Sequence, residues 1–337
     1  MFRPRLNFTR PNFICLSLVF CTVSLVSCAS IITDLPELSD ADLATERRLQ
    51  ATQAVEQQQI HLKRLSDISG PILVENAELC PRIRPYFGLV SHSEQSYSNH
   101  IRDDIKPGFS LSETERILHV VPNSPAEQAG IKVGDIILGE DGQPISVQTL
   151  RKVNIAKNGR HAIMLMRGKE KLKAIIDTVP ACNYTIGLRN SSAVNAYATG
   201  RSITVTRGMM EFTKTDEELA AIIGHELAHN TLGHIRKITT NYILSAGGTR
   251  YARPFESEAD YVGLYYTARA GYNIENVEDI WRRIGTSSPR SIGLAKTHPT
   301  TPDRFLRLKA AYNEIEAKRA ANEPLLPNFK SKGSPPS

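Results

Sequence analysis

The rhythm of apolar and polar positions changes several times along this chain. Phe13 to Val26 is a mostly apolar, uncharged run of 14 residues, preceded by Arg3, Arg5 and Arg10. Fourteen residues are short for a bilayer span, which needs about 20, but they suit the core of a signal peptide. Residues 1–27 are therefore set aside as a leader. Residues 40–68 contain no glycine or proline and are rich in Ala, Leu, Glu, Gln and Arg, which predicts one helix. Its apolar stripe is thin (Ala51, Val55, Leu62, Leu65), so it either packs on the body or acts as a spacer. Ser69-Gly70-Pro71 is expected to stop it. From residue 82 to 180 the period shortens to that of strands. "ILHVV" (117–121) is a strand, and "SPAEQAG" (124–130) is a short helix ended by Gly130. "DIILGEDGQPI" (135–145) turns at Asp141-Gly142, "TLRKVNIAKNG" (149–159) is a second helix, and 161–177 is a hairpin around Gly168. After residue 183 a strand over Ser202–Met210 leads into helical periodicity. Residues 322–337 hold four prolines and are expected to form a loose tail. The layout is α+β: a tether and helix over 28–70, a β-rich domain over 80–182, a mainly helical domain with a small sheet over 183–320, and a disordered tail over 321–337.

"SPAEQAGIKVGDIILGEDGQPI" in the β-rich segment resembles PDZ domains of bacterial secreted proteases. The resemblance implies a groove between a strand and the second helix, where extended polypeptides, often C-termini, add by strand pairing. It places the carboxylate-cradling loop and strand at Phe87, Gly88, Leu89 and Val90. The stretch 91–114 is longer and more polar than a minimal domain of this kind needs.

The helical domain contains "HELAH", His225 to His229. Thr215 is a good N-cap, Glu218 completes a capping box, and Asp216 and Glu217 suit the positive end of the helix dipole. The following run is mostly apolar, so the helix is buried. At 3.6 residues per turn His225 and His229 lie about 40° apart on one face. The motif is either a metal clamp or an accident on an ordinary helix. Two stacked imidazoles and a carboxylate on a buried face need partners, because unsatisfied polar groups there cost about 1–3 kcal/mol each. A zinc ion would supply them, with Glu226 as general base. His234 is about 140° round the same helix and reads as a capping or solvent-facing residue. Downstream, Glu256 and Asp260 in "FESEADYVGL" share a face at i, i+4. Glu256 is the candidate third ligand. Asp260 is placed to take a hydrogen bond from the far nitrogen of a ligating histidine. Glu258 falls on another face and reads as surface.

"HELAH" followed by "ESEAD" resembles the gluzincin metallopeptidases of the HtpX and CAAX prenyl protease type. "NAYATGRSITVTRGMM", "AGYN" (270–273) and "THPTTPDRFLRL" (297–308) match further blocks of that family, so the resemblance spans residues 183–312. It implies one Zn2+ per chain held by His225, His229 and Glu256, and proteolysis based on Glu226. It also implies a hydrogen-bond donor or transient ligand at His298, support from Arg304, and an extended substrate paired to the strand at Ser202–Thr206.

Cysteine and charge narrow the setting. Leu25-Val26-Ser27-Cys28 resembles a lipobox, which implies that Cys28 becomes the lipid-bearing first residue of the mature chain. The alternative is a plain secretory leader. Ala29, in place of aspartate, favours the outer membrane, facing the periplasm. Losing Arg3, Arg5 and Arg10 lowers the net charge from +6 to +3, too weak a balance to suggest nucleic acid. Cys80 and Cys182 bracket the β-rich domain. A disulfide would join its entrance to its exit, worth up to ~4.7 kcal/mol for a loop of that size; two buried thiols are the alternative. The expected function is a zinc endopeptidase of the bacterial cell envelope acting on misfolded or unassembled envelope proteins. Its PDZ groove would recognise substrate or regulate. The alternative is a chaperone or assembly factor with a latched or weakly active zinc site.

Overall fold

The computed structural model describes residues 33, 35–109, 111–151, 159–244, 253–287 and 302–330. The chain divides into two units, residues 1–43 and 44–337. In the first, the Ser39 hydroxyl accepts the Asp42 amide at 3.1 Å and caps a helix.

That helix, α1 (Asp40–Glu75), does not stop at Ser69-Gly70-Pro71, as expected from sequence, but runs through them. Pro71 removes one backbone hydrogen bond, a loss of about 3 kcal/mol in a helix interior. Burial beyond it offsets that loss: Ile72 and Leu73 join Leu65 and Ile68 in the main apolar core. Gly70 permits the close approach, since a Cβ there would lie 2.2 Å from the Tyr86 hydroxyl. Buried Asn76 ends the helix by donating to the Ile72 and Tyr266 carbonyls at 2.9 and 3.0 Å. Thus α1 is a structural member of the helical domain rather than a tether.

The β-rich domain interrupts that core. Its strands are β1 (Ile83–Tyr86), β2 (Leu89–His92), β3 (Arg116–Val120), β4 (Ile136–Leu138), β5 (Gly159–Arg167) and β6 (Glu170–Cys182). They form a β1-β6-β5-β4 sheet and a β2–β3 ribbon. Phe87, Ile117, Ile137, Leu165 and Ile176 fill a separate core. The polar stretch after β2 contains a short helix, α2 (Arg102–Phe109), whose Ile105 packs with Tyr97 against Ala51 and Val55 of α1. The helices α3 (Pro125–Gln128) and α4 (Val147–Leu150) are each capped by a serine, Ser124 and Ser146. A Cys80–Cys182 disulfide closes the neck of this insertion.

The chain then returns to the helical domain. Strands β7 (Thr185–Arg189), β8 (Ala196–Ala198) and β9 (Ser202–Thr206) form a sheet in the order β7-β9-β8. They are followed by α5 (Arg207–Phe212), α6 (Asp216–Thr231), α7 (His234–Leu244), α8 (Arg253–Arg269), α9 (Glu278–Ser287) and α10 (Pro302–Ala320). Helices α6 and α8 cross at Gly224 and Gly263. A Cβ on Gly263 would lie 2.7 Å from the His225 backbone, so only glycine lets α8 come this close to the metal-site helix.

Residues 321–330 are not the loose tail expected from their prolines. Arg269 donates to the Leu325 carbonyl at 3.2 Å, Lys318 to the Leu326 carbonyl at 2.7 Å, and the Asn328 amide to the Tyr261 hydroxyl at 2.9 Å. Proline fixes an extended backbone, and side chains of α8 and α10 take up its carbonyls. Residues 331–337 lie outside the described set.

Candidate metal centre

Helix α6 is buried continuously from Leu219 to Asn230. Its start is held four ways. Thr215 Oγ1 accepts the Glu218 amide at 3.3 Å, and Glu218 reaches back to the Lys214 amide at 2.7 Å. Arg283 of α9 clasps the same carboxylate, and Arg64 of α1 donates to the Thr215 carbonyl at 2.6 Å.

One turn separates His225 from His229, and their Nε2 atoms lie 3.1 Å apart. Glu256, in the first turn of α8, places one carboxylate oxygen 3.6 Å from His225 Nε2 and the other 3.5 Å from His229 Nε2. Zinc with nitrogen and oxygen ligands at ~2.0–2.1 Å in a tetrahedron separates neighbouring donors by ~3.3–3.4 Å. The three donors therefore stand at the edges such an ion needs, and two imidazoles with a carboxylate are a donor set zinc favours. All three residues are at most 4% exposed, as is Glu226.

The surroundings concentrate negative charge on the imidazoles. Asp260, one turn beyond Glu256, lies 2.9 Å from His225 Nδ1. Burial pulls His225 down, but Asp260 and Glu256 outweigh it and push its pKa up to about 9. Asp260 would be raised by burial, yet Arg304 and His225 hold it below the carboxylate range. Arg304, from α10, grips Asp260 through Nε and through Nη2 at 2.7 Å. Its guanidinium also stacks 4.1 Å over Trp281, whose ring lies 5.1 Å from that of His225.

His234 is neither a cap nor solvent-facing. It is fully buried, with Nδ1 3.1 Å from His229 Nδ1 and Nε2 2.9 Å from a Glu258 oxygen. The 140° estimate assumes one continuous helix. In fact α6 ends at Thr231, Gly233 adopts φ 67°, and α7 starts at His234 with its ring turned back toward His229. Glu258, read from sequence as surface, holds the outer end of this chain. Each metal-facing histidine thus has its far nitrogen toward a carboxylate: His225 directly through Asp260, His229 through His234 and Glu258. Replacing His234 by Ala should weaken zinc binding about 10- to 100-fold, measured by competition with a chromophoric chelator.

The strand beside the site also differs from expectation. β9 is the central strand, paired to β7 on one edge and β8 on the other, so Ser202–Thr206 has no edge left for an added chain. β8 packs against α6, and its second edge has no strand partner among the described residues. Asn230 locks this arrangement by donating to the Ser202 carbonyl at 3.0 Å and accepting the Gly200 amide at 2.6 Å.

In the β-rich domain, Leu89 and Val90 line an open groove between β2 and α4, and Gly88 (φ 80°) lines a smaller cavity between β2 and α1. Phe87 does not: it is 1% exposed in the domain core, anchoring the loop from inside. His298 and Cys28 lie outside the described residues.

A buried His-Glu-x-x-His helix and a carboxylate from the next long helix form a donor set suited to zinc, beside an inserted β-rich domain with an open groove. Residues 169–246 and 237–312 match Peptidase family M48, and residues 116–167 match a PDZ domain. The M48 match takes in the helical part around the metal centre, and the PDZ match lies in the inserted β-rich domain. It is 27% identical over 189 residues to the mitochondrial metalloendopeptidase OMA1 of Arabidopsis thaliana, covering 46% of this chain and 39% of that one. To the protein of the same name from Schizosaccharomyces pombe it is 23% identical over 164 residues, covering 39% and 49%. The chain thus spans less than half the length of either relative. Among solved structures it is similar to the HtrA3 PDZ domain bound to a phage-derived ligand, at 22% identity over 29% of this chain and 89% of that one, TM-score 0.23.

Proposed function

We propose that this chain is a zinc-dependent endopeptidase of the bacterial cell envelope that cleaves misfolded or unassembled envelope proteins. The observation that carries the reading is the triangle of His225, His229 and Glu256 donors, with Glu226 on the same buried helix. His225, His229 and Glu256 would hold zinc. Bound there, zinc supplies Lewis acidity, lowering the pKa of water toward ~7 and polarising a carbonyl. Glu226 takes the proton from the attacking water and returns it to the leaving amine. Asp260 with Arg304, and His234 with Glu258, hold the two imidazoles in orientation and tautomer. An extended substrate adds to the free edge of β8, Ala196–Ala198, in the strand-addition mode. The PDZ groove recognises substrate or regulates.

The envelope setting is supported by the Cys80–Cys182 disulfide, a bond typical of oxidising compartments, and by the leader-like residues 1–27 that precede Cys28. Cys28 is the proposed lipid anchor, on the outer membrane facing the periplasm. Among the described residues no helix is long and apolar enough to cross a membrane.

A second reading, a chaperone or assembly factor with a latched site, is favoured by the burial of the same four groups, each at most 4% exposed. Chelation separates the two. Purified protein should hold one zinc per chain and cleave casein. A chelator should remove both metal and activity, and one equivalent of zinc should restore both. One tightly held zinc without casein cleavage would select the latched protein. No stoichiometric zinc would sink both readings.

A further inference from the structure

The chain has one tryptophan, Trp281, and the fold sets it against the metal centre. It lies on α9, is 6% exposed, and meets two groups with its ring. The Arg304 guanidinium stands 4.1 Å over its face, and the His225 ring is 5.1 Å away, tilted by 57°. The helix that carries it is fastened by the next two residues. Arg282 lies over the Phe305 ring of α10 at 5.1 Å. Arg283 donates to Glu218 of α6 at 2.8 Å and lies over the Phe212 ring at 5.1 Å. Three successive residues of α9 therefore engage Arg304 with His225, then α10, then the start of α6, and the indole sits on a fixed support.

The ring restrains what the hydrogen bonds leave free. Asp260 fixes His225 Nδ1 at 2.9 Å, but a single hydrogen bond lets an imidazole tip about that atom. Arg304 grips Asp260 through two nitrogens, which holds the guanidinium within its own plane and leaves movement along the normal to that plane. An aromatic face set across the normal opposes that movement, and of the aromatic side chains tryptophan attracts a cation most strongly. Trp281 also keeps the assembly dry. With Leu264, Val277 and Leu308 it closes a cavity of about 10 Å³ against His225 and Asp260, at the lower limit for one water. In such low-dielectric surroundings the contact between Asp260 and His225 is stronger than it is in water.

We infer that Trp281 is a positioning residue of the metal centre: its ring face holds Arg304 on Asp260 and limits the tilt of His225, keeping Nε2 turned toward His229 and Glu256. This deepens the reading of His225, His229 and Glu256 as a zinc site and rests on it. The requirement is for an aromatic face rather than for bulk. An aliphatic side chain would exclude water from the same place but would not attract the guanidinium.

The test uses the full chain. Zinc affinity is read by competition with a chromophoric chelator, coordination by the visible absorption of the cobalt(II)-loaded protein, and folding by the thermal midpoint of the apo-protein. Trp281→Leu should weaken zinc binding about 10- to 100-fold and alter the cobalt spectrum. Trp281→Phe, which keeps a ring face, should stay within about threefold of the parent and keep its spectrum. Both variants should melt lower as apo-proteins, since each leaves a cavity. If Trp281→Leu does not fold, Trp281→Met takes its place in the comparison. In the parent, one equivalent of cobalt(II) should quench the Trp281 emission. Parent-like zinc affinity in the aliphatic variant overturns the proposal. An equal loss of affinity in the aliphatic and Phe variants also overturns it, because the indole then only fills the core. A parent that binds zinc stoichiometrically while cobalt(II) leaves its emission unchanged overturns it as well. A parent without stoichiometric zinc removes the zinc site itself and this inference with it, and is told apart from the other results by the metal content of the parent alone.

Discussion

Replacing Glu226 by Gln should leave one zinc per chain and reduce kcat for casein cleavage by about 10²–10⁴-fold, the usual contribution of a positioned general acid and base. The reason is a division of labour along one helix turn. His225 and His229 face the Glu256 carboxylate and are the metal donors; Glu226, between them in sequence, is not one. Glutamine keeps the volume and hydrogen-bonding shape of glutamate in a position only 2% exposed, so packing is preserved. It cannot accept a proton at neutral pH. Glu256→Gln is the informative contrast, because it removes a donor and should lose zinc and cleavage together. Metal analysis, casein turnover and a melting curve on the three proteins decide the matter. Parent-like cleavage by the Glu226→Gln variant would remove Glu226 from the mechanism.

The parts of this site that sequence made legible are those in which chemistry and helical period coincide. His225 and His229 fall one turn apart within an apolar run, and Glu256 and Asp260 one turn apart in the next long helix. Their pairing across the intervening chain came from family resemblance, since no local pattern shows that α8 lies against α6. The contact itself depends on two glycines, Gly224 and Gly263. What stayed illegible depended on breaks in period or on tertiary burial. Gly233 ends one helix and starts another, which turns His234 inward where a helical wheel sends it outward. Pro71 reads as a stop, but core burial carries the helix past it. Ser202–Thr206 reads as the strand beside the cleft, but strand order is a property of the sheet, and β8 takes the open edge. The PDZ insertion sits between α1 and β7, both parts of the metallopeptidase core, with the Cys80–Cys182 bond at its neck. Its groove therefore shares a wall with the sheet that also borders the metal centre.

Replacing Asp260 by Ala should cost both stability and metal, and the two losses can be separated. Asp260 and Arg304 are each at most 4% exposed, joined by a two-pronged hydrogen bond. Removing one member of such a buried pair typically destabilises by about 3–5 kcal/mol, because the other charge keeps its burial and loses its partner. The same carboxylate lies 2.9 Å from His225 Nδ1, so its loss also frees the imidazole to rotate or change tautomer. That should weaken zinc binding by a further 10- to 100-fold or so. The double variant Asp260→Leu/Arg304→Leu distinguishes the effects. Replacing a buried ion pair by apolar residues of similar volume is often close to neutral for stability. Urea unfolding of the apo-proteins should show the single variant far below the parent and the double variant near it. Zinc affinity should stay low in both, since neither can hold His225. If the double variant recovers zinc affinity along with stability, Asp260 acts on the metal site only by keeping the fold intact. If it recovers stability alone, the carboxylate has a second task, orienting His225 toward the ion.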